Sequence, residues 1–261
     1  MKKTLSFIII YMMAFCAFAQ DLYIGSFYVT TPDEEKLYGD GGDKWTTRRT
    51  YICDLFNFEQ PDVLGLQSAT ESQVSLINQR MTSHSVAGNI IYKKELELLA
   101  NDTIKDMPEG SICTWVKLKK GGAAFYVFNV SFSTDATIGS TSAAKVIAAV
   151  DEINTESLPY FVLGYLGGNE KKAAYTRLNA RYYDCYKKAP IISAEYGTVS
   201  NFDLAANHGT DRFDVIFTSR DVTTKAYGQL QSAYLTKETD GSYKRRQFST
   251  HFPVMAKVTL P

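Results

Sequence analysis

The run Tyr160-Phe161-Val162-Leu163, set between Pro159 and Gly164, constrains the fold of this chain more than any other stretch. Four apolar residues in succession, bounded by turn formers, describe a strand covered on both faces. In α/β proteins the carboxyl end of such a strand is where ligands bind and polar groups stand. Here that end delivers Tyr165, Leu166 and Gly167, without a charge.

The rest of the pattern sets this strand in a mixed sheet system. Leu22 to Thr30 reads as a strand, and Trp45 to Phe58 carries a helical stripe at Trp45, Ile52, Leu55 and Phe56. Residues 62–67 form a short buried strand after Pro61, and residues 70–81 a helix with Val74, Ile77 and Met81 on one side. Strand-like runs follow at 86–93, 95–100, 112–119 and 123–131, then a helix over 143–153 leading to the strand at 160–163. Residues 213–219 and 251–260 supply the last strands. Helices alternating with strands at first, then strands in succession, imply helices outside mixed sheets. Two sheets packed face to face would bury the many β-branched and aromatic residues. No repeat or Pro/Ser-rich linker divides residues 20–261, which read as one domain.

Residues 1–19 have the three parts of an export signal. Lys2 and Lys3 form the positive start, Leu5 to Phe18 is mostly apolar, and Ala17-Phe18-Ala19 is a small-x-small cleavage site. The expectation is a secreted or periplasmic protein beginning at Gln20, with no transmembrane segment after cleavage; the apolar run is short for a spanning helix. Lysines plus arginines equal aspartates plus glutamates at 28 each, so losing Lys2 and Lys3 leaves a small acidic excess, and nothing favours nucleic acid as a partner. The densest basic run, Lys244-Arg245-Arg246, reads as a solvated strand edge or loop. After cleavage Cys53, Cys113 and Cys185 remain, an odd count without metal-ligand spacing. One disulfide with a free thiol, or three buried thiols, both fit.

Nine segments in order resemble the endonuclease/exonuclease/phosphatase superfamily of metal-dependent phosphodiesterases, most nearly its secreted branch common in gut bacteria. They are "IGSFYV" (24–29), "RRTYICDLFNFEQPDVLGLQ" (48–67), "IIYKK" (90–94), "ICTWVKL" (112–118), "FYVFNVSFS" (125–133), "LPYFVLGYLGGN" (158–169), "GTVSNF" (197–202), "DRFDVIF" (211–217) and "STHFPV" (249–254). The resemblance implies a four-layer α/β sandwich, two mixed β-sheets packed face to face with helices outside, and an active site at one end of the sheets. It also implies one or two divalent cations, usually magnesium, on hard oxygen ligands. A His–Asp pair would flank the scissile group, and another Asp would orient the attacking water.

Carried over position by position, that set is largely gone. The family's Asn after S-F is Tyr28; the Glu of its Q-E is Ser68, after Gln67; its N-T-H is Asn129-Val130-Ser131. Its G-D-F-N is Gly164-Tyr165-Leu166-Gly167, its S-D-H is Ser249-Thr250-His251, and an Arg often found before I-C-T-W is Ser111. Asp214 and His251 are the remnants. The expectation is therefore an exported pseudoenzyme with no cofactor and no metal ligands, its old cleft lined by Tyr28, Tyr165, Asn129 and His251. Its ligand would be a small molecule, a glycan or a phosphate ester.

Bland readings stand beside the sharp ones. Ser68-x-x-Glu71 fits a capping box, Asp135 fits a helix cap, and His208 a solvated loop residue. Asp214 and His251 form either a phosphate-holding pair or a satisfied polar tie between strands. Tyr28 and Tyr165 either fill a redundant cavity or line a recess for a flat ligand. Two alternatives complete the reading: an active magnesium-dependent hydrolase with a rebuilt site, and an interaction protein working through surface loops.

Overall fold

Three separate apolar clusters divide the molecule, and three interfaces require four layers. The computed structural model describes residues 20–38, 44–193, 196–204, 209–230 and 233–261. Residues 1–19, read above as an export signal, and His208 lie outside the described residues. In chain order the elements begin β1 Asp21–Tyr28, a 3₁₀ turn Glu34–Tyr38, α1 Trp45–Glu59, β2 Val63–Gln67 and α2 Glu71–Arg80. Next come β3 His84–Ala87, β4 Ile90–Lys93, β5 Glu97–Thr103, β6 Ile112–Lys120, β7 Ala123–Ser131, α3 Ala136–Ile153 and β8 Tyr160–Tyr165. The chain continues through α4 Ala173–Arg181, β9 Tyr183–Asp184, α5 Cys185–Lys188, β10 Ile192–Ser193 and β11 Asp214–Thr218. It closes with β12 Thr223–Gln229, β13 Tyr234–Lys237, β14 Tyr243–Arg246 and β15 Val254–Thr259.

One sheet has the order β10-β12-β15-β1-β2-β4-β3 and the other β5-β6-β7-β8-β11-β9, with β13 and β14 a separate ribbon. Strand parity assigns each face. Ile24, Val63, Val127, Phe161, Leu163 and Ile216 share the cluster between the sheets. Phe27, Leu64 and Leu66 pack instead against Ile52, Phe56 and Ile77 of α1 and α2. On the far side Phe128, Val162 and Val215 pack against Val146 of α3 and Leu178 of α4. The run 160–163 is continuous because β8 is buried on both faces.

Local chemistry places the helices. Asp135 caps α3, accepting from the amides of Thr137 and Ile138 at 2.9 Å. The capping box of α2 is not Ser68–Glu71 but Thr70–Gln73, two residues later. Ser68 lies outside it with φ +44, and its hydroxyl turns to another partner. The run 86–93 is not one strand: Gly88 takes φ +59 and turns the chain back into the hairpin β3–β4.

The disulfide alternative fails on location. Cys185, Cys113 and Cys53 are free, buried, and distributed one to each of the three apolar clusters. Among the described residues no helix is long and apolar enough to cross a membrane.

Candidate functional site

The layer between the sheets changes character along its length. Beyond the apolar cluster the same parity brings Ser26, Gln67 and Asn129 inward, where they hydrogen-bond across the sheets. Ser26 Oγ donates to Gln67 Oε1 at 3.3 Å, Gln67 Nε2 to Asn129 Oδ1 at 2.5 Å, and Asn129 Nδ2 to the Leu66 carbonyl at 2.9 Å. Gly65 permits this approach, since a Cβ there would stand 2.6 Å from Asn129 Oδ1. Asn129 is thus consumed by the fold. It is not on the wall of the cleft, and the expectation that it lines a ligand site is corrected by that burial.

Two residues further, the same parity places Tyr28 and Tyr165 at the carboxyl ends of β1 and β8. These strands belong to opposite sheets, so the two rings meet across the layer with centroids 4.9 Å apart, edge to face. Asp214 pairs with Tyr165 in the sheet register. His251, just before β15 and bridged to Val199, stacks on Tyr28 at 4.2 Å with planes 18° apart. Its Nδ1 lies 2.7 Å from Asp214 Oδ2, and both side chains are buried. The second oxygen, Asp214 Oδ1, is buried with no hydrogen-bond partner among the described residues. Tyr28, Tyr165 and His251 therefore line one cleft of about 290 Å³, with Asp214 behind His251 and not on the wall.

Among the wall residues that were not foreseen, Glu34 carries the charge. The 3₁₀ turn carries its carboxylate over the cleft. Glu34 accepts from Tyr28 Oη at 2.5 Å, from the Thr31 amide at 2.7 Å and from the hydroxyl of Ser68. Burial works against its ionisation, but the hydrogen bonds from Ser68, Tyr28 and Thr31 outweigh it and hold the carboxyl below its ordinary 4.5. Burial, reinforced by Glu34, drives the Tyr28 phenol upward; burial and the Asp214 charge push Tyr165 up to about 12. Both tyrosines are neutral donors at any ordinary pH.

The supports are specific. Thr30 has φ +68, an outlier for a β-branched residue. It is held there by its hydroxyl, 2.8 Å from Ser249 Oγ and 2.6 Å from Thr250 Oγ1. Buried Arg48 donates to the carbonyls of Val29, Thr30 and Phe248 and to Glu35 at 2.9 Å, which ties α1 to the exit of β1. On the other side Arg212 pairs with Asp184 at 2.8 Å, and Tyr175 Oη donates to the same carboxylate at 2.6 Å. This pair fixes the chain just before Asp214.

A hard divalent cation takes about six oxygens, with at least one or two carboxylates among them. Among the described residues Glu34 is the single acid on the wall, and its oxygens already accept from three residues. Asp214 is held to His251, and Thr250 and Tyr165 are neutral. Among the described residues no group of three or more His, Cys, Asp or Glu side chains converges as such a site would require. The described donors do not fit the divalent cation that the resemblance implies.

No protein-family model matches the chain, and no curated protein matches its sequence. Solved structures do. An endonuclease/exonuclease/phosphatase family protein from Bacteroides thetaiotaomicron superposes with a TM-score of 0.84 at 20% identity, over 93% of this chain and 99% of that one. A mannosyl-6-phosphatase from B. thetaiotaomicron VPI-5482 gives 0.82 at 21%, over 91% and 99%. D. rerio TDP2 complexed with single strand DNA product gives 0.66 at 16%, over 91% and 98%. At these identities the likeness is one of fold: the chain has the four-layer α/β sandwich of the endonuclease/exonuclease/phosphatase proteins.

Proposed function

We propose that this chain is an exported protein of that fold whose cleft binds a ligand without hydrolysing it. The observation that carries the reading is the ring cluster of Tyr28, His251 and Tyr165, in which two tyrosines hold the positions that the resemblance gives to an Asn and an Asp. Neighbours of this fold include a mannosyl-6-phosphatase, and a phosphate ester is accordingly the first ligand to try. Without an anionic oxygen cage there is no group to neutralise a phosphoryl transition state or activate water. The test is hydrolysis of bis(4-nitrophenyl) phosphate and 4-nitrophenyl phosphate by the mature chain with magnesium or manganese. The expected rate is that of buffer. A metal-dependent rate abolished by a chelator and by His251→Ala would sink the reading.

One observation favours a second reading, an active hydrolase with a rebuilt site. Glu34 brings a carboxylate to Ser68, the position of the family's principal ligand. On that reading Glu34→Gln would abolish a metal-dependent activity; on ours there is none to abolish.

A further inference from the structure

The wall of the cleft sets one carboxylate among aromatic rings. Tyr28, Tyr38, Tyr165 and Phe213 line a space of about 290 Å³, with His251 as a fifth ring. Tyr28 stands edge to face with Tyr165 at 4.9 Å, and Tyr165 lies 6.4 Å from Phe213 with planes 12° apart. None of these four side chains is fully buried, so each keeps surface for an occupant. The carboxylate is Glu34. It accepts from Tyr28 Oη, from the amide and hydroxyl of Thr31 and from the Ser68 hydroxyl, all of them neutral donors. Among the described residues no Lys or Arg stands on this wall, and buried Arg48 is paired with the neighbouring Glu35 at 2.9 Å. Lys244, Arg245 and Arg246 line a separate recess beyond Tyr38 and Asn201. Residues 39–43, 194–195, 205–208 and 231–232, outside the described residues, contain Asp40, Asp43, Glu195 and His208 but no Lys or Arg. They therefore add no permanent positive charge.

This chemistry selects the sign of the occupant and then its kind. Glu34 repels an anion and attracts a cation, and the negative faces of neutral tyrosine and phenylalanine rings attract a cation too. The Asp214 carboxylate with His251 sums to zero when the imidazole is protonated and to minus one when it is neutral, so that pair does not oppose a cation. A metal ion lacks its oxygens. A primary ammonium brings three N–H donors that must be satisfied on leaving water. Glu34 already accepts from three residues, and Thr250 Oγ1 is held 2.6 Å from Thr30 Oγ1. A quaternary ammonium has no N–H to satisfy and imposes no coordination geometry, and its charge spreads over methyl groups that pack on rings. The volume lies at the lower limit of ligand pockets, roughly 300 Å³, which has room for one such head.

Resting on the reading that this cleft binds and does not hydrolyse, we propose that it takes a small organic cation of the quaternary ammonium class. Its methyl groups lie against Tyr38, Tyr165 and Phe213, and Glu34 supplies the opposite charge.

Calorimetric titration of the mature chain with tetramethylammonium and choline, in the presence of a chelator, tests the proposal. Three comparison compounds separate its parts: 3,3-dimethylbutan-1-ol has the shape of choline without the charge, methylammonium has the charge with three N–H donors, and 4-nitrophenyl phosphate is an anion. Choline should bind about tenfold more tightly than the alcohol or methylammonium, and raised salt should weaken it. Glu34→Gln should weaken choline about five- to tenfold and leave the alcohol unchanged. Tyr165→Leu and Tyr38→Leu, which lose the ring but keep an apolar side chain, should each weaken choline as well. Tyr38 is 44% exposed, so its variant spares the fold. Equal binding of choline and the alcohol would overturn the proposal, as would failure of both quaternary cations to bind. So would choline binding indifferent to all three variants, or tighter binding of 4-nitrophenyl phosphate than of choline. Each of these results leaves the non-hydrolytic cleft standing. Release of nitrophenolate when magnesium or manganese replaces the chelator would overturn that reading, and the proposal with it.

Discussion

Replacing Gly167 by Asn, the residue the family carries there, should destabilise the protein by about 3–5 kcal/mol. Gly167 has φ +70, and a Cβ on it would lie 2.0 Å from the Ser133 carbonyl oxygen, 2.6 Å from its carbon and 2.9 Å from the Phe132 oxygen. The left-handed conformation is the smaller effect, because Asn tolerates it better than most residues, at a cost of roughly 1 kcal/mol. The contact decides the outcome. All three atoms are backbone, so no side chain can swing away, and the two segments must part by roughly 1.4 Å to restore ordinary contact. That movement strains the adjacent bond from the Phe132 amide to the Tyr165 carbonyl, now 2.9 Å. For a domain of this size the loss corresponds to a fall in Tm of about 10 °C, read by circular dichroism. Gly168→Ala is the control. Its Cβ would meet only the flexible Lys172 side chain, at 2.8 Å, and should lower Tm by less than about 3 °C. If Gly167→Asn unfolds within about 2 °C of wild type, the loop has room, and the claim that packing bars the family's Asn is wrong.

Glu34→Gln should destabilise the protein at pH 7, by a margin that narrows as pH falls below 4.5. Because the folded-state pKa is depressed below 4.5, the carboxylate's contribution is complete above the unfolded value and disappears as pH falls through the folded one. Denaturant melts of both proteins across this range would show their difference closing; a constant difference would reject an ionised Glu34. A thiol reagent should leave the native mature chain unlabelled and modify three cysteines after unfolding, since burial raises Cys53 to about 11 and Cys185 to about 12. Fast native labelling would contradict the burial. Mass spectrometry of protein from its native cell should find Gln20, or its cyclised form, at the amino terminus, and intact Met1 would count against export.

Elements whose apolar residues follow one period were legible. Residues 123–131 coincide with β7, because Phe125 and Val127 face one layer and Tyr126 and Phe128 the other. The hairpin of β3 and β4 was hidden by Ile90-Ile91-Tyr92, which extends the apolar run past a glycine turn. β12 and α4 gave weaker signals. In β12 the buried positions are Thr224, Tyr227 and Gln229, and the register shifts between Thr224 and Ala226, which breaks the alternation. In α4 the buried face is Ala174, Tyr175 and Leu178, too small a stripe to stand out.

The site was legible where strand parity fixes it and illegible where a loop does. Tyr28 and Tyr165 lie in phase with the inward residues of their strands, so alignment of the motifs suffices to bring them together. Glu34 obeys no period. It stands six residues beyond Tyr28, after left-handed Thr30 and the turn at Pro32-Asp33, and its neighbour Glu35 points elsewhere, to Arg48 and the Trp45 amide. Adjacent identical side chains with divergent targets cannot be told apart without the 3₁₀ turn that separates them. The signal available was the pair of carboxylates itself, close in sequence to a cleft whose other described wall residues carry no acid. This difference also bears on what the cleft can do. A carboxylate on a strand end is fixed by the sheet, as a metal ligand needs to be. One on a 3₁₀ turn is placed by Tyr28, Thr31 and Ser68, so a ligand that competes for those donors can move Glu34 without disturbing the core. Charge in this cleft is therefore adjustable, which favours binding over a cation site that demands rigid geometry.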